Sequence, residues 1–220
     1  LGHVGTEKIY GYTSHFKNLK ASKALKGKRN PCSICQLCKP QKQPRSKEVQ
    51  TKARPNQLLH MDTITITHKG SGGIKWAHVI VDSATTHIWI ILTKDKKNLA
   101  KKVINQIDQI NQECGNEQKI QALRVDGARE FVNSKMGEAL AERAIELQKT
   151  ATDASHQNGK AEQVIGMLTR MARAMLNAAN LPSVMWPSAY KHAVWLYNRI
   201  SCKKNHNSEP PAKAFYKNSA

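Results

Sequence analysis

Beyond residue 57 the chain alternates between short apolar runs and longer stretches in which apolar residues recur every three or four positions. Leu58 to Ile66, Ile74 to Asp82 and Ile88 to Thr93 are β-type runs punctuated by Gly, Ser and Thr at hairpin-like spacing, and they predict three antiparallel strands. Asn98 to Cys114 sets Leu99, Val103, Ile107 and Ile110 on one face of a helix. A fourth strand, Ile120 to Val125, leads to Asp126-Gly127. A helix (Asn133 to Ala144), a strand (Ile145 to Thr150), a polar loop (Thr152 to Gly159) and a long helix (Lys160 to Ala179) follow. The last helix is read as Pro182 to Ile200, with Pro in a tolerated first-turn position and Trp186, Ala189, Ala193, Leu196 and Tyr197 toward the core. The polar tail from Ser201, with Pro210-Pro211, is expected on the surface. Antiparallel strands followed by alternating helices and strands predict a mixed α/β sheet covered by helices on its faces.

The first fifty-odd residues have a different texture. They lack long periodic apolar runs and end in Pro-, Gln- and basic-rich sequence from Lys39 to Pro55, which reads as a linker. The division expected is a small domain over residues 1–40, a basic linker over 41–56 and a larger core over 57–220. The net charge of +19 sharpens this picture, because it is uneven. Between Glu7 and Arg54 thirteen Lys and Arg stand against two acids, a local +11. Such a field attracts polyanions, and nucleic acid is the leading partner. No run approaches the roughly 18 apolar residues that span a bilayer, and no apolar signal segment opens the chain, so a soluble intracellular protein is expected, with no membrane partner. Of five cysteines, Cys32, Cys35 and Cys38 are separated by two-residue gaps while Cys114 and Cys202 are isolated, which favours metal or free thiols over a disulfide framework.

Against this basic background three carboxylates stand out by position. Asp62 interrupts the apolar first strand, where an unpartnered acid is costly unless paired or bound to metal. Asp126 follows the fourth strand at the sheet edge where α/β active sites collect. Glu162 opens the long helix; at about 100° per residue it lies with Gly166, Thr169 and Arg173, away from the apolar stripe of Ala161, Val164, Ile165, Leu168, Met171, Ala172, Met175 and Leu176. By itself Glu162 is also what the helix dipole favours in a first turn. Three carboxylates gathered from separate elements would repel one another without cations between them, and oxygen ligands suit Mg²⁺ or Mn²⁺. Two such ions roughly 4 Å apart hold both the attacking and the leaving oxygen of an in-line displacement at phosphorus.

Thirty-five residues separate Asp126 from Glu162, with Asp62 upstream in a strand. This pattern resembles the acidic triad of the retroviral integrase superfamily, and the surrounding words resemble integrases of copia-type LTR retrotransposons. Those words are Leu1-Gly2-His3, Cys32-x-x-Cys35 before a basic stretch, His60-x-Asp62, Arg124-x-Asp126-Gly127-x-x-Glu130-Phe131, Gln157-Asn158-Gly159-x-x-Glu162, Ala172-Arg173-Ala174-Met175-Leu176, Leu181-Pro182-x-x-x-Trp186 and Asn198-Arg199. The sequence departs from that family at Gln163, where Arg is usual, at Ile165-Gly166-Met167 in place of an Asn-Arg-Thr run, and at Ser155-His156, where Pro commonly precedes the loop.

The resemblance implies a ribonuclease-H-like core, a mixed five-stranded sheet with flanking helices, preceded by a small helical zinc domain of the His-His-Cys-Cys type. His3, Cys32 and Cys35 match its ligands; the first histidine is expected upstream of His3, with His15 or Cys38 as substitutes, and the family's further C-terminal region is absent, so the chain is expected to be a piece of a longer protein. It further implies a DNA integrase, a polynucleotidyl transferase that inserts retrotransposon cDNA into host DNA by strand transfer, with or without trimming of 3′ ends. Asp62, Asp126 and Glu162 would hold two Mg²⁺ or Mn²⁺, and one Zn²⁺ would be structural. Gln157, Asn158, Lys160, Arg170 and Arg173 are the expected contacts to the element-end DNA; target DNA is the second partner, a homo-multimer the assembly, and the nucleus the site of action after a cytoplasmic particle. Two other readings share these features: a catalytically inactive DNA-binding descendant, and a ribonuclease-H-like nuclease without strand transfer. Glu130 is read as supporting structure and Asp82 as a turn cap.

Overall fold

The structure is a computed structural model, describing residues 54–114, 119–125, 134–149 and 159–216 together with Ile34. Five strands form one mixed sheet: β1 (Leu58–Thr65), β2 (Trp76–Asp82), β3 (Ile88–Thr93), β4 (Ala122–Val125) and β5 (Glu146–Lys149), in the spatial order β3-β2-β1-β4-β5. The first three are antiparallel, with Leu59 opposite Asp82, Asp62 opposite Val79 and Val81 opposite Ile88. β4 then runs parallel to β1, and β5 parallel to β4. The sequence patterning predicted all five strands. The helices are α1 (Leu99–Cys114), α2 (Ser134–Ala141), α3 (Gly159–Ala178), α4 (Trp186–Arg199) and α5 (Pro211–Tyr216). No helix among the described residues is long and apolar enough to cross a membrane.

Side chains alternate between the two faces of the sheet, as a period of two requires, and each face carries an apolar layer. Leu59, Met61, Ile80, Leu123 and Val125 face one layer with Val103, Ile107 and Ile110 of α1 and Leu140 of α2. Ala77, Val79, Val81 and Ile88 face the other with Val164, Leu168 and Met171 of α3 and Tyr190, Ala193 and Tyr197 of α4. β2 is buried on both faces from Ala77 to Asp82, so its polar members need internal partners. His78 has them: Thr63 Oγ1 lies 2.8 Å from its Nδ1 and Thr93 Oγ1 3.0 Å from its Nε2, a cross-strand chain within the sheet. Burial, then Lys96 and Lys102, push this histidine down to about 4, so it is neutral.

The apolar stripe of α3 is buried or packed against the core as its spacing predicts, and Ala174 joins it. Two features differ from the sequence reading. A 3₁₀ turn occupies Ser183–Met185, and the last long helix starts at Trp186 with Pro187 in its first turn, four residues beyond Pro182. Trp186 donates its indole N–H to the His68 carbonyl at 3.1 Å, and Gly70 lies so close that an added Cβ would sit 2.3 Å from Pro187 Cγ. The tail expected on the surface is exposed at Lys203, Lys204 and Tyr216, among other positions, but buried in part. α5 packs on α4, and Phe215 is 1% exposed within the α1-side core, stacked on His87 at 5.0 Å and edge-on to Trp89.

Candidate active site

Alternation along β1 puts Leu59 and Met61 in the α1-side core, so His60, Asp62 and Ile64 belong to the face covered by α3 and α4. The partners agree: Val79, opposite Asp62, and Ala77, opposite Ile64, are both in the α3–α4 layer. Asp62 is half-buried there, and its Oδ1 accepts the Thr63 backbone N–H at 2.6 Å. On the other side of β1 the parallel ladder pairs His60 with Arg124 and Met61 with Val125. The residues that follow Met61 and Val125 in the sequence are Asp62 and Asp126. Asp126 lies outside the described residues, as do Gln157, Asn158 and Glu130. Arg124 donates from Nε and Nη2 to Gln148 Oε1 on β5, at 3.2 and 2.8 Å, which holds the guanidinium along the sheet.

Glu162 is exposed in the first turn of α3, while Ala161 and Val164 on either side of it are buried. The helix packs on β1 and β2 and so brings this acid over the face that carries Asp62. A first-turn carboxylate is favoured by the helix dipole. Two cations brace the same end. Lys160, half-buried, donates its ammonium to the Ser83 carbonyl and to Ser83 Oγ, and burial followed by the nearby charge of Lys204 lowers its basicity, partly offset by Asp82. Lys204 donates to Gln163 Oε1 at 3.3 Å, so a cation reaches the position where the chain has Gln in place of the usual Arg. His60 Nε2 lies 3.3 Å from Ser83 Oγ. Ser83 was not singled out in the sequence reading; only its place one residue beyond a strand-ending acid marked it.

Further along α3 the wall opens into a cleft of about 390 Å³ between the end of β1, the helix and the start of α4. Ile64, Ile66, Leu176 and Trp186 give it an apolar lining, and exposed Arg173 stands at its side. Thr169 Oγ1 and the Tyr190 hydroxyl lie 2.7 Å apart there. Burial raises the Tyr190 phenol above its ordinary range and raises Tyr197 further; Tyr197 donates to Thr86 Oγ1 at 3.3 Å. A raised phenol is the opposite of an activated nucleophile. Arg170 is half-buried on the same helix.

Asp82 contrasts with these groups. It is fully buried; its Oδ1 accepts the Asn56 N–H at 2.8 Å and its Oδ2 the N–H groups of Ala84 and Thr85 and the Thr85 hydroxyl at 3.1, 2.7 and 2.7 Å. Burial pushes its carboxyl up and these donors oppose that shift. The turn-capping role expected of it is the one it has.

Asp62 and Glu162 offer hard oxygen donors of the kind a divalent cation takes, half-exposed and exposed on facing elements, and the residues fit Mg²⁺ or Mn²⁺ to that extent. Among the described residues no group of three or more His, Cys, Asp and Glu stands close enough to hold a metal ion; the third carboxylate is outside them. His3, Cys32 and Cys35 are also outside the described residues, together with His15 and Cys38. Cys114 and Cys202 are buried and stand in no disulfide among the described residues.

Residues 52–155, which include β1 with Asp62 and the rest of the five-stranded sheet, match the model of the integrase core domain. Among known proteins the chain is similar to Retrovirus-related Pol polyproteins: that of transposon TNT 1-94 of Nicotiana tabacum, 25% identical over 77% of this chain, and that of transposon RE2 of Arabidopsis thaliana, 25% identical over 77%. The resemblance to integrases of LTR retrotransposons is thus shared with these plant elements. The chain spans 13% and 11% of the length of those polyproteins. Solved structures share the fold at low identity. A simian T-cell lymphotropic virus intasome, in complex with PP2A regulatory subunit B56 gamma, has a chain that superposes with a TM-score of 0.61 and 17% identity, over 96% of this chain and 74% of that one. The HTLV-2 integrase catalytic core domain in complex with magnesium, in its dimeric form, gives 0.53 and 16%, over 73% of this chain and 99% of that one.

Proposed function

We propose that this protein catalyses metal-dependent DNA strand transfer, inserting retrotransposon cDNA into host DNA. The observation that carries the reading is that the parallel β1–β4 register ends at Met61 and Val125, whose next residues in the sequence are Asp62 and Asp126, while Glu162 lies in the first turn of the helix that covers the face of β1 carrying Asp62. Two Mg²⁺ or Mn²⁺ held by Asp62, Asp126 and Glu162 would supply Lewis acidity for the attacking and leaving oxygens at a DNA phosphate.

The chain's own residues then set positions. The central strand and the α3 first turn hold two of the acids at fixed places on rigid elements, and the apolar stripe of α3 fixes the helix on the sheet. Gln157, Asn158, Lys160, Arg170 and Arg173 contact the DNA end, so that most affinity is phosphate contact and falls steeply with salt. The attacking group is the 3′-hydroxyl of the element DNA, or water where an end is trimmed; no side chain becomes a nucleophile, in keeping with the raised phenols of Tyr190 and Tyr197. His3, Cys32 and Cys35 bind one structural Zn²⁺, supported by thiolates at the two-residue spacing of tetrahedral sites. A basic module over residues 1–40 and a linker over 41–56 carry the local +11 and add grip on DNA. Joining two ends to one target calls for a homo-multimer, at work in the nucleus.

The test is a strand-transfer assay with short duplexes carrying element ends, comparing the intact protein with Asp126→Asn. Joined products from the wild type and none from the variant are expected. Joined products from both would remove the metal role, cleavage without joining would favour a nuclease, and neither product from a protein that still binds DNA would favour an inactive descendant.

A further inference from the structure

Asp62 and Glu162 are a hundred residues apart in the chain, and β1 and α3 meet through side chains. Among the described residues, a polar link ties the start of the helix to the start of β1. Lys160, in the same first turn as Glu162, donates to the Ser83 carbonyl and to Ser83 Oγ at 3.4 Å. Ser83 in turn belongs to β1 as much as to the turn it opens: its N–H donates to the Leu58 carbonyl at 2.9 Å, and its hydroxyl lies 3.3 Å from His60 Nε2, two residues before Asp62. The turn itself is stiffened by Asp82, which accepts from Ala84 and from both donors of Thr85. The path from Glu162 to Asp62 thus runs through Lys160, Ser83 and the first residues of β1, and no member of it is a loop tip.

The helix geometry gives the link a consequence. Lys160 and Glu162 are two residues apart, about 200° around the axis. Pinning Lys160 on the sheet turn fixes the rotation of the first helical turn, and with it the direction in which Glu162 is presented. Ala161 and Val164 pack this end on its apolar side, and Lys160 adds a polar hold on one flank of it. We infer that Lys160 is a positioning residue of the metal site, which through Ser83 sets the approach of Glu162 to Asp62; this is a role beyond contact with DNA, and it rests on the reading that these acids bind divalent cations.

The sign of one measurement separates this role from a plain charge effect. Lys160 is a cation close to a cation site, so by Coulomb's law alone its removal strengthens divalent binding. If it positions a ligand, its removal weakens that binding, and losses of about tenfold are usual when a residue that orients a metal ligand is changed. Mn²⁺ binding to the full chain, followed by electron paramagnetic resonance without DNA, reads the sign directly and is blind to any DNA contact. Lys160→Met is expected to bind Mn²⁺ about tenfold more weakly than wild type. Lys160→Arg, which keeps donors for the Ser83 carbonyl, is expected to fall between the two, and Lys204→Met, which removes a neighbouring cation without breaking the link, is expected to bind as tightly as wild type or more so. In strand transfer the Lys160→Met defect should lie in the metal concentration required and recover at saturating Mn²⁺. Should Lys160→Met not fold, Ser83→Ala carries the test, since it removes only the hydroxyl that joins Lys160 and His60; weaker Mn²⁺ binding is expected. Mn²⁺ binding by Lys160→Met, or in its place Ser83→Ala, that equals or exceeds wild type overturns the inference while leaving the strand-transfer reading intact. A wild-type protein that binds no Mn²⁺ overturns both.

Discussion

Asp62 and Asp82 lie on neighbouring antiparallel strands, one within an apolar run and the other at the end of one, yet their surroundings are opposite. Asp82, on the α1 side opposite Leu59, is sealed from solvent and receives four donated hydrogen bonds from one turn and from Asn56. Asp62, on the α3 side opposite Val79, stays half-exposed under a helix whose first turn presents a second acid. A buried acid surrounded by donors is a structural part, because the protein itself supplies the charge compensation; an acid at a half-exposed strand position stays within reach of solvent and of ligands. The two faces of one sheet therefore divide the labour. The α1 face and its turn hold the chain together, and the α3 face is where the proposed chemistry is placed.

Parallel substitutions break or sharpen this contrast. Asp82→Asn turns a donor toward converging N–H groups and should cost about 2–4 kcal/mol. Asp62→Asn should stay within about 1 kcal/mol of wild type while abolishing strand transfer. Urea denaturation of both variants measures the difference, and equal stability losses would dissolve the contrast. The next largest effect is expected at Asn198, whose buried side chain accepts the Ile88 N–H at 3.0 Å and donates to the Ile88 carbonyl at 2.8 Å, covering the open edge of β3. Asn198→Ala leaves both backbone groups buried and unmet, and should cost about 2–3 kcal/mol by the same measurement.

The smallest effect per step is in pH. His78 and His87 are buried and neutral, pushed down to about 4 and about 3, by burial first and then by lysines in one case and Arg199 in the other. The unfolded chain takes up their protons near 6.5 and the folded chain does not, so stability is full above 6.5 and falls as pH drops toward 4 and then 3. The slope is about 1.4 kcal/mol per pH unit for each histidine inside that window. Thermal melts from pH 7 to pH 4 should show the loss, and His87→Phe, which preserves the ring stack with Phe215, should flatten it.

Patterning read the strands and the α3 stripe because one face of each element is buried and the period follows from that. Asp82 was legible for a similar reason: Asp, Ser and Thr at a strand end make a turn by local bonding. What escaped the sequence depends on partners far along the chain. Phe215 sits in a tail too short to show a period, and it is buried because His87 and Trp89, more than a hundred residues earlier, leave a surface for it. The clamp of Asn198 on Ile88 spans 110 residues, and the hold of Lys160 on Ser83 spans 77. A basic residue beside an acidic one reads from sequence as a charge facing DNA; the fold adds a second relation, an ammonium that donates to a carbonyl of a distant turn.

The central claim is that Asp62, Asp126 and Glu162 share divalent ions. Anomalous scattering at the manganese edge from crystals grown with Mn²⁺ measures this most directly. Strong peaks bounded by these three carboxylates are predicted, and absent from Asp62→Asn crystals; Mn²⁺ bound elsewhere in a protein active in strand transfer would contradict the account.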